Sequence, residues 1–309
     1  MSYSAPGGEE LTSGERREAA REKAKTLRNE HRKKERRSRA ILQGVLLAVV
    51  LGLAAAFAII FMATANRPEA PGPRNMLSDG ILIGEKFEPK LTAALQPGQD
   101  PVPNDRDEES SVISVQMYTD YFCTACAAFD EANYDQISTL VESGAATVEV
   151  FPYAVYDSVS QGTKYSSRSA NAAACVADQS PAAFYDFNHL LFENQPEQGS
   201  GGLSDKQLVE YAVEAGATVP SAIKKCIEDQ QFKSWVADAR DRHRAGPVPN
   251  TNLKLIEGAP TVVVNGVKYE GALNDPGAFG AFMIQSVNAD FNADPSATPT
   301  PTPTPSSNK

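Results

Sequence analysis

Two cysteines stand at redox spacing in the stretch Tyr121-Phe122-Cys123-Thr124-Ala125-Cys126-Ala127-Ala128-Phe129. The two-residue gap lets the second sulfur reach the first, so a mixed disulfide formed on one can be resolved by the other. The attacking species in such exchange is the thiolate, which a helix N-terminus stabilises through its unpaired N–H groups and positive dipole end. The same spacing could also serve as half of a zinc site or as an inert loop staple. Zinc would need two more ligands at close spacing. Cys175 and Cys226 stand alone, and His189 and His243 lie in unrelated helical patterns. The residues therefore favour redox chemistry, with no metal and no organic cofactor.

The neighbouring elements must position that pair. Val112 to Tyr118 is a β-rich run with Ile113, Val115 and Met117 on one face. Ala127 to Val141 is rich in helix formers, with Phe129, Tyr134, Ile137 and Val141 near helical spacing. The cysteines thus fall where a strand hands over to a helix. Thr147 to Phe151 alternates as a second strand and closes a β-α-β unit with a right-handed crossover. Gly80 to Gly84 reads as a short first strand, and Gln96 to Ser111 as loop.

From Ser158 to Arg244 the pattern turns helical. Ser166 to Ala177 is Ala-rich; Pro181 opens a helix carrying Phe184, Phe187, Leu190 and Leu191. Gly199 to Gly202 breaks the pattern, and Ser204 with Gln207 forms a capping box for the next helix. Ser221 to Ile227 and Phe232 to Arg242 follow, with Trp235 as a core residue. Strand chemistry returns at Pro260 to Val264 and Val267 to Glu270. The Asn265-Gly266 dipeptide between them signals a hairpin. Asp275-Pro276 caps a last helix to about Val287.

Charge and hydropathy divide the chain. Residues 1–39 hold 12 Lys/Arg against 7 Asp/Glu, and the remainder 17 against 32. That acidity disfavours nucleic acid as a partner. Ala40 to Ala65 lacks any charged residue, long enough for one membrane-spanning helix of about 20 residues. The basic flank before it places the N-terminus in the cytoplasm and everything after Ala65 outside. Ala63-Thr64-Ala65 also resembles a signal cleavage site, which leaves a removed leader as the alternative. The expected organisation is a basic cytoplasmic segment (1–39), a transmembrane helix (40–65) and a Pro-rich linker (66–79). A catalytic domain (80–290) follows, with its helical insertion at about 158–244, and a disordered Pro/Thr-rich tail (291–309) ends the chain. Disulfides persist outside the cell. Cys175 and Cys226, each on a helical pattern without a close partner, are therefore expected to form a structural disulfide.

A strand, a CxxC at a helix start, a second strand, a helical block and then an X-Pro-Thr before a hairpin resemble the DsbA-like branch of the thioredoxin fold. Phe122-Cys123-Thr124-Ala125-Cys126 and Gly258-Ala259-Pro260-Thr261-Val262 carry the resemblance, which covers about Gly80 to Val287. It implies an α/β fold, a central mixed β-sheet flanked by helices, with an inserted all-helical subdomain. It also implies Cys123 as the exposed nucleophile, Cys126 as the buried resolving thiol, and a cis Pro260 beside them with Ala259 offered to a substrate strand. The implied activity is introduction of disulfides into exported cysteine-containing proteins by a monomer, reoxidised by a quinone-linked membrane oxidase. A reductase or isomerase of the same fold and a non-catalytic adaptor are the alternatives. The sequence departs from the family at two points. Thr124-Ala125 replaces the frequent Pro-led dipeptide, and Met117 stands where an acid often lies six residues before the first cysteine.

Overall fold

The computed structural model describes residues 70–105 and 112–287, with scattered helical positions between 21 and 52. The chain divides into two units, Met1–Pro68 and Glu69–Lys309. In the first unit, the described positions Leu42, Val45, Leu46, Val49 and Val50 are helical and exposed. Among the described residues no helix is long and apolar enough to cross a membrane. Most of the expected span at 40–65, the start of the chain and the 291–309 tail lie outside the described residues.

The second unit is built on a five-stranded mixed sheet ordered β1-β3-β2-β4-β5. Its strands are β1 (Ile81–Ile83), β2 (Ile113–Thr119), β3 (Ala146–Pro152), β4 (Thr261–Val264) and β5 (Val267–Lys268). β2 and β3 run parallel with Val115 opposite Val148, whereas β1–β3, β2–β4 and β4–β5 pair antiparallel. The parallel pair requires a crossover, and α1 (Thr124–Glu142) supplies it. Gly144, at φ +75°, follows the end of α1 in the left-handed region that terminates helices.

The two faces of β2 and β3 bury different sets. Val115, Val148 and Val150 join the main core, while Tyr118 and Phe151 join a smaller cluster with Tyr153, Val248 and Ile256. Both faces are therefore covered, which suits the hydrophobic β2–β3 pair.

The helical block comprises α2 (Tyr165–Gln179), α3 (Phe184–Glu193), α4 (Asp205–Glu214), α5 (Pro220–Glu228) and α6 (Lys233–Ala245). Ala170, Ala172, Ala173, Ala174 and Ala177 of α2 are all buried, because small side chains let neighbouring helices approach closely. α4 opens on the Ser204–Gln207 capping box. Trp235 is 4% exposed and belongs to the core. α7 (Pro276–Ser286) starts where the Asp275 carboxylate accepts the Gly277 and Ala278 N–H groups at 3.0 Å. One expectation needs correction: the strand after Asn265-Gly266 ends at Lys268, so β5 is shorter than the alternation suggested. Tyr269 still donates its backbone N–H to Val262 O at 2.8 Å. Its phenol then turns to the Ala272 carbonyl at 2.9 Å and leaves the ladder.

Candidate active site

The sheet and α1 bring Cys123 and Cys126 to one corner. β2 ends at Thr119, and the Cys123 N–H donates to Asp120 O at 3.0 Å, closing a turn. Cys123 is then the N-cap of α1: its Sγ accepts the Cys126 backbone N–H at 3.2 Å. A sulfur takes the place usually held by a Ser or Asp oxygen, so the helix start solvates the reactive atom directly. Both cysteines are free thiols.

Their environments push them apart. The Cys123 thiol is held below its ordinary value by a hydrogen bond from the Cys126 thiol, then by the Cys126 and Ala125 N–H groups, against burial and the Asp120 charge. Burial pushes the Cys126 thiol well up, and the adjacent Cys123 adds to it. The N-terminal thiol is thus the one ready to carry negative charge.

The resemblance implied an exposed Cys123, and here the structure differs: Cys123 is 2% exposed, as is Cys126. The reason lies in the loop before β4. Cys123 Sγ donates to the Ala259 carbonyl at 3.3 Å, and Ala259-Pro260 is a cis peptide. Ala259 and Pro260, far from the cysteines in sequence, therefore lie against the dithiol.

The helical block holds the turn from the other side. Tyr121 O–H donates to Asn188 Oδ1 at 3.0 Å, and the Phe122 ring meets Tyr165 edge-on at 5.1 Å. Gln195 Nε2 donates to the Tyr121 and Cys123 carbonyls at 3.1 and 3.0 Å, and Gln198 Nε2 to Phe122 O at 3.2 Å. Sequence reasoning missed both glutamines. They sit in the Pro- and Gly-bearing loop after α3, and only the fold brings them to the turn. Asp120, which follows β2 and precedes the turn, is buried as well, at 1% exposed.

Cys175 of α2 and Cys226 of α5 are bonded to each other, with Cα atoms 5.8 Å apart. They staple the helical block and take no part in the dithiol. Among the described residues no group of His, Cys, Asp or Glu could hold a metal ion.

The profile of the family described as Thioredoxin matches residues 107–281. A crystal structure of oxidised DsbA from Mycobacterium tuberculosis is 30% identical, with a TM-score of 0.48, covering 67% of this chain and 92% of that one. The reduced disulfide oxidoreductase DsbG from the same organism is 30% identical, with a TM-score of 0.47, covering 66% and 89%. A curated relative, Na(+)/H(+) antiporter NhaA 1 of Salinispora arenicola, is 26% identical over 239 residues, 75% of this chain. The chain spans only 30% of the length of that relative. With a helix-capping dithiol, an Ala-Pro loop against it and a family match across both, the chain belongs to the thioredoxin family.

Proposed function

We propose that the chain is a membrane-anchored, extracytoplasmic oxidase that introduces disulfides into exported proteins through Cys123 and Cys126. The observation that carries this reading is the seat of Cys123 Sγ, between the Cys126 N–H at 3.2 Å and the Ala259 carbonyl at 3.3 Å. A substrate thiolate attacks Cys123 Sγ of the oxidised pair. The Cys123–Cys126 bond breaks, and Cys126 leaves with the electron pair and takes up a proton. A second substrate thiolate then attacks the substrate sulfur bonded to Cys123, and Cys123 departs as the helix-capped thiolate. Two electrons pass from substrate to enzyme, Cys126 holds one proton while Cys123 stays a thiolate, the substrate's other thiol proton goes to solvent, and the substrate gains one disulfide. Ala259, whose carbonyl already meets the thiol, is the backbone that a substrate strand would pair with.

Two features support the compartment and the anchor. The Cys175–Cys226 disulfide suits an oxidising environment. Exposed helical Leu42, Val45, Leu46, Val49 and Val50, within an uncharged run flanked by basic residues, suit a lipid-facing helix. Reoxidation then falls to a quinone-linked partner in the same membrane. Protease added to intact protoplasts tests the topology. Digestion of the C-terminal part with a spared N-terminal tag supports it, and a mature chain beginning near Asn66 contradicts the anchor.

A further inference from the structure

The dithiol mechanism leaves one buried carboxylate beside it unused. Asp120 follows β2 and opens the turn that carries Cys123. Its Oδ1 accepts the Phe122 N–H at 2.8 Å, and its Oδ2 accepts those of Val155 and Tyr156 at 2.7 and 3.1 Å. Its own carbonyl accepts the Cys123 N–H. These donors are all neutral, and together they tie the active-site turn to the segment after β3.

We propose that Asp120 is a positioning residue whose ionised carboxylate, held beside the turn by three N–H groups, limits how strongly Cys123–Cys126 oxidises its substrates. An oxidant of this class is strong when its reduced form is stabilised, and the reduced form carries its charge on Cys123. A neighbouring anion opposes that charge. Three N–H groups favour ionised Asp120, although burial holds its titration above the ordinary carboxylate range. The Asp120 charge in turn raises Cys123 against the helix start. The titratable groups around it are Cys123 and Cys126 of the turn and α1, Tyr121 of the turn, Tyr156 after β3, and Tyr165 of α2. The three phenols are all pushed up by burial and stay neutral near pH 7, so none adds a further anion beside Asp120. The absence of a basic side chain from the CxxC dipeptide makes this balance decisive.

The inference rests on the dithiol reading, and the experiment separates the two. Full-length protein in detergent, with Asp120→Asn and Asp120→Ser variants, is equilibrated with glutathione buffers, and Cys123 alkylation is followed against pH. Removing the charge is expected to shift the equilibrium toward reduced enzyme at least tenfold, about 30 mV, and to move the alkylation profile to lower pH. Both variants keeping the wild-type equilibrium and profile, with native circular dichroism, would overturn the role of Asp120 alone. If neither variant folds, carbon NMR of the Asp120 carboxyl in wild-type protein decides. Its midpoint should be higher in reduced than in oxidised protein, and equal midpoints would overturn the proposal. A wild-type pair that never exchanges with glutathione would remove the functional reading and the Asp120 role together.

Discussion

Gln195 donates one side-chain amide to two carbonyls of the active-site turn, Tyr121 O at 3.1 Å and Cys123 O at 3.0 Å. The glutamine belongs to the loop between α3 and α4 within the helical block, and the carbonyls belong to the turn leaving the sheet. Packing of the block is thereby transmitted to the backbone of the nucleophile. Gln195→Ala removes two hydrogen bonds, each worth about 1 kcal/mol. A stability loss of about 1–2 kcal/mol is expected by denaturant titration, together with slower dithiol oxidation. Unchanged kinetics would confine Gln195 to a packing role.

The roles of the two cysteines separate by substitution. Cys123→Ser should abolish oxidation of a reduced substrate, since no sulfur then receives the substrate thiolate. Cys126→Ser should accumulate mixed disulfides on Cys123, because the buried resolving thiol is gone. Mass spectrometry of the folded Cys126→Ser protein checks this, and an absence of adducts would reverse the assignment.

Cys175 and Cys226 are 51 residues apart in sequence. Closing a loop of that size stabilises the fold by about 4 kcal/mol in the chain-entropy treatment. The double variant Cys175→Ala, Cys226→Ala should lose roughly that amount in denaturant unfolding while keeping dithiol exchange. Mapping without reduction should recover the Cys175–Cys226 cross-link, and a Cys123–Cys175 link would contradict the scheme.

Stability should also depend on one buried histidine. His243 of α6 sits edge-on to Tyr118 and Phe151, and burial, followed by the charge of Arg242, lowers its pKa to about 3. The neutral ring is the form that fits, so its stabilising contribution is fully present above the unfolded value of about 6.5. As pH falls from there toward 3, the unfolded chain binds a proton that the native state refuses. Stability should then fall by up to about 1.4 kcal/mol per pH unit from this group. His243→Phe should flatten that part of the stability–pH curve, and a slope unchanged by the substitution would rule His243 out.

Much of this architecture was legible in the residues. The β-rich run at Val112, the helix after Ala127, the Ser204 capping box and the Asn265-Gly266 turn are local signals, and local signals survive into the fold. The cysteine pair was visible for the same reason, since its chemistry lies in a two-residue gap. The seat of the pair was not. Cys123 is covered by Ala259, 136 residues on, and the turn that carries it is pinned by Gln195 at Tyr121 O and Cys123 O and by Gln198 at Phe122 O, two glutamines whose neighbours are ordinary loop residues. Those contacts arise only when the sheet, the helical block and the Ala-Pro loop converge. Asp120 is the intermediate case. Its place three residues before Cys123 is plain in the sequence, but the Val155 and Tyr156 N–H groups that satisfy it when buried come from the chain after β3.

Direction is the central claim, and the equilibrium of Cys123–Cys126 with a glutathione redox buffer tests it most directly. The helix start favours the Cys123 thiolate, while among the described residues no basic side chain assists it and Asp120 opposes it. A potential between thioredoxin's roughly −270 mV and the roughly −120 mV of DsbA is expected, that of a mild oxidant. A value at or below about −270 mV would contradict oxidation and make the chain a reductase.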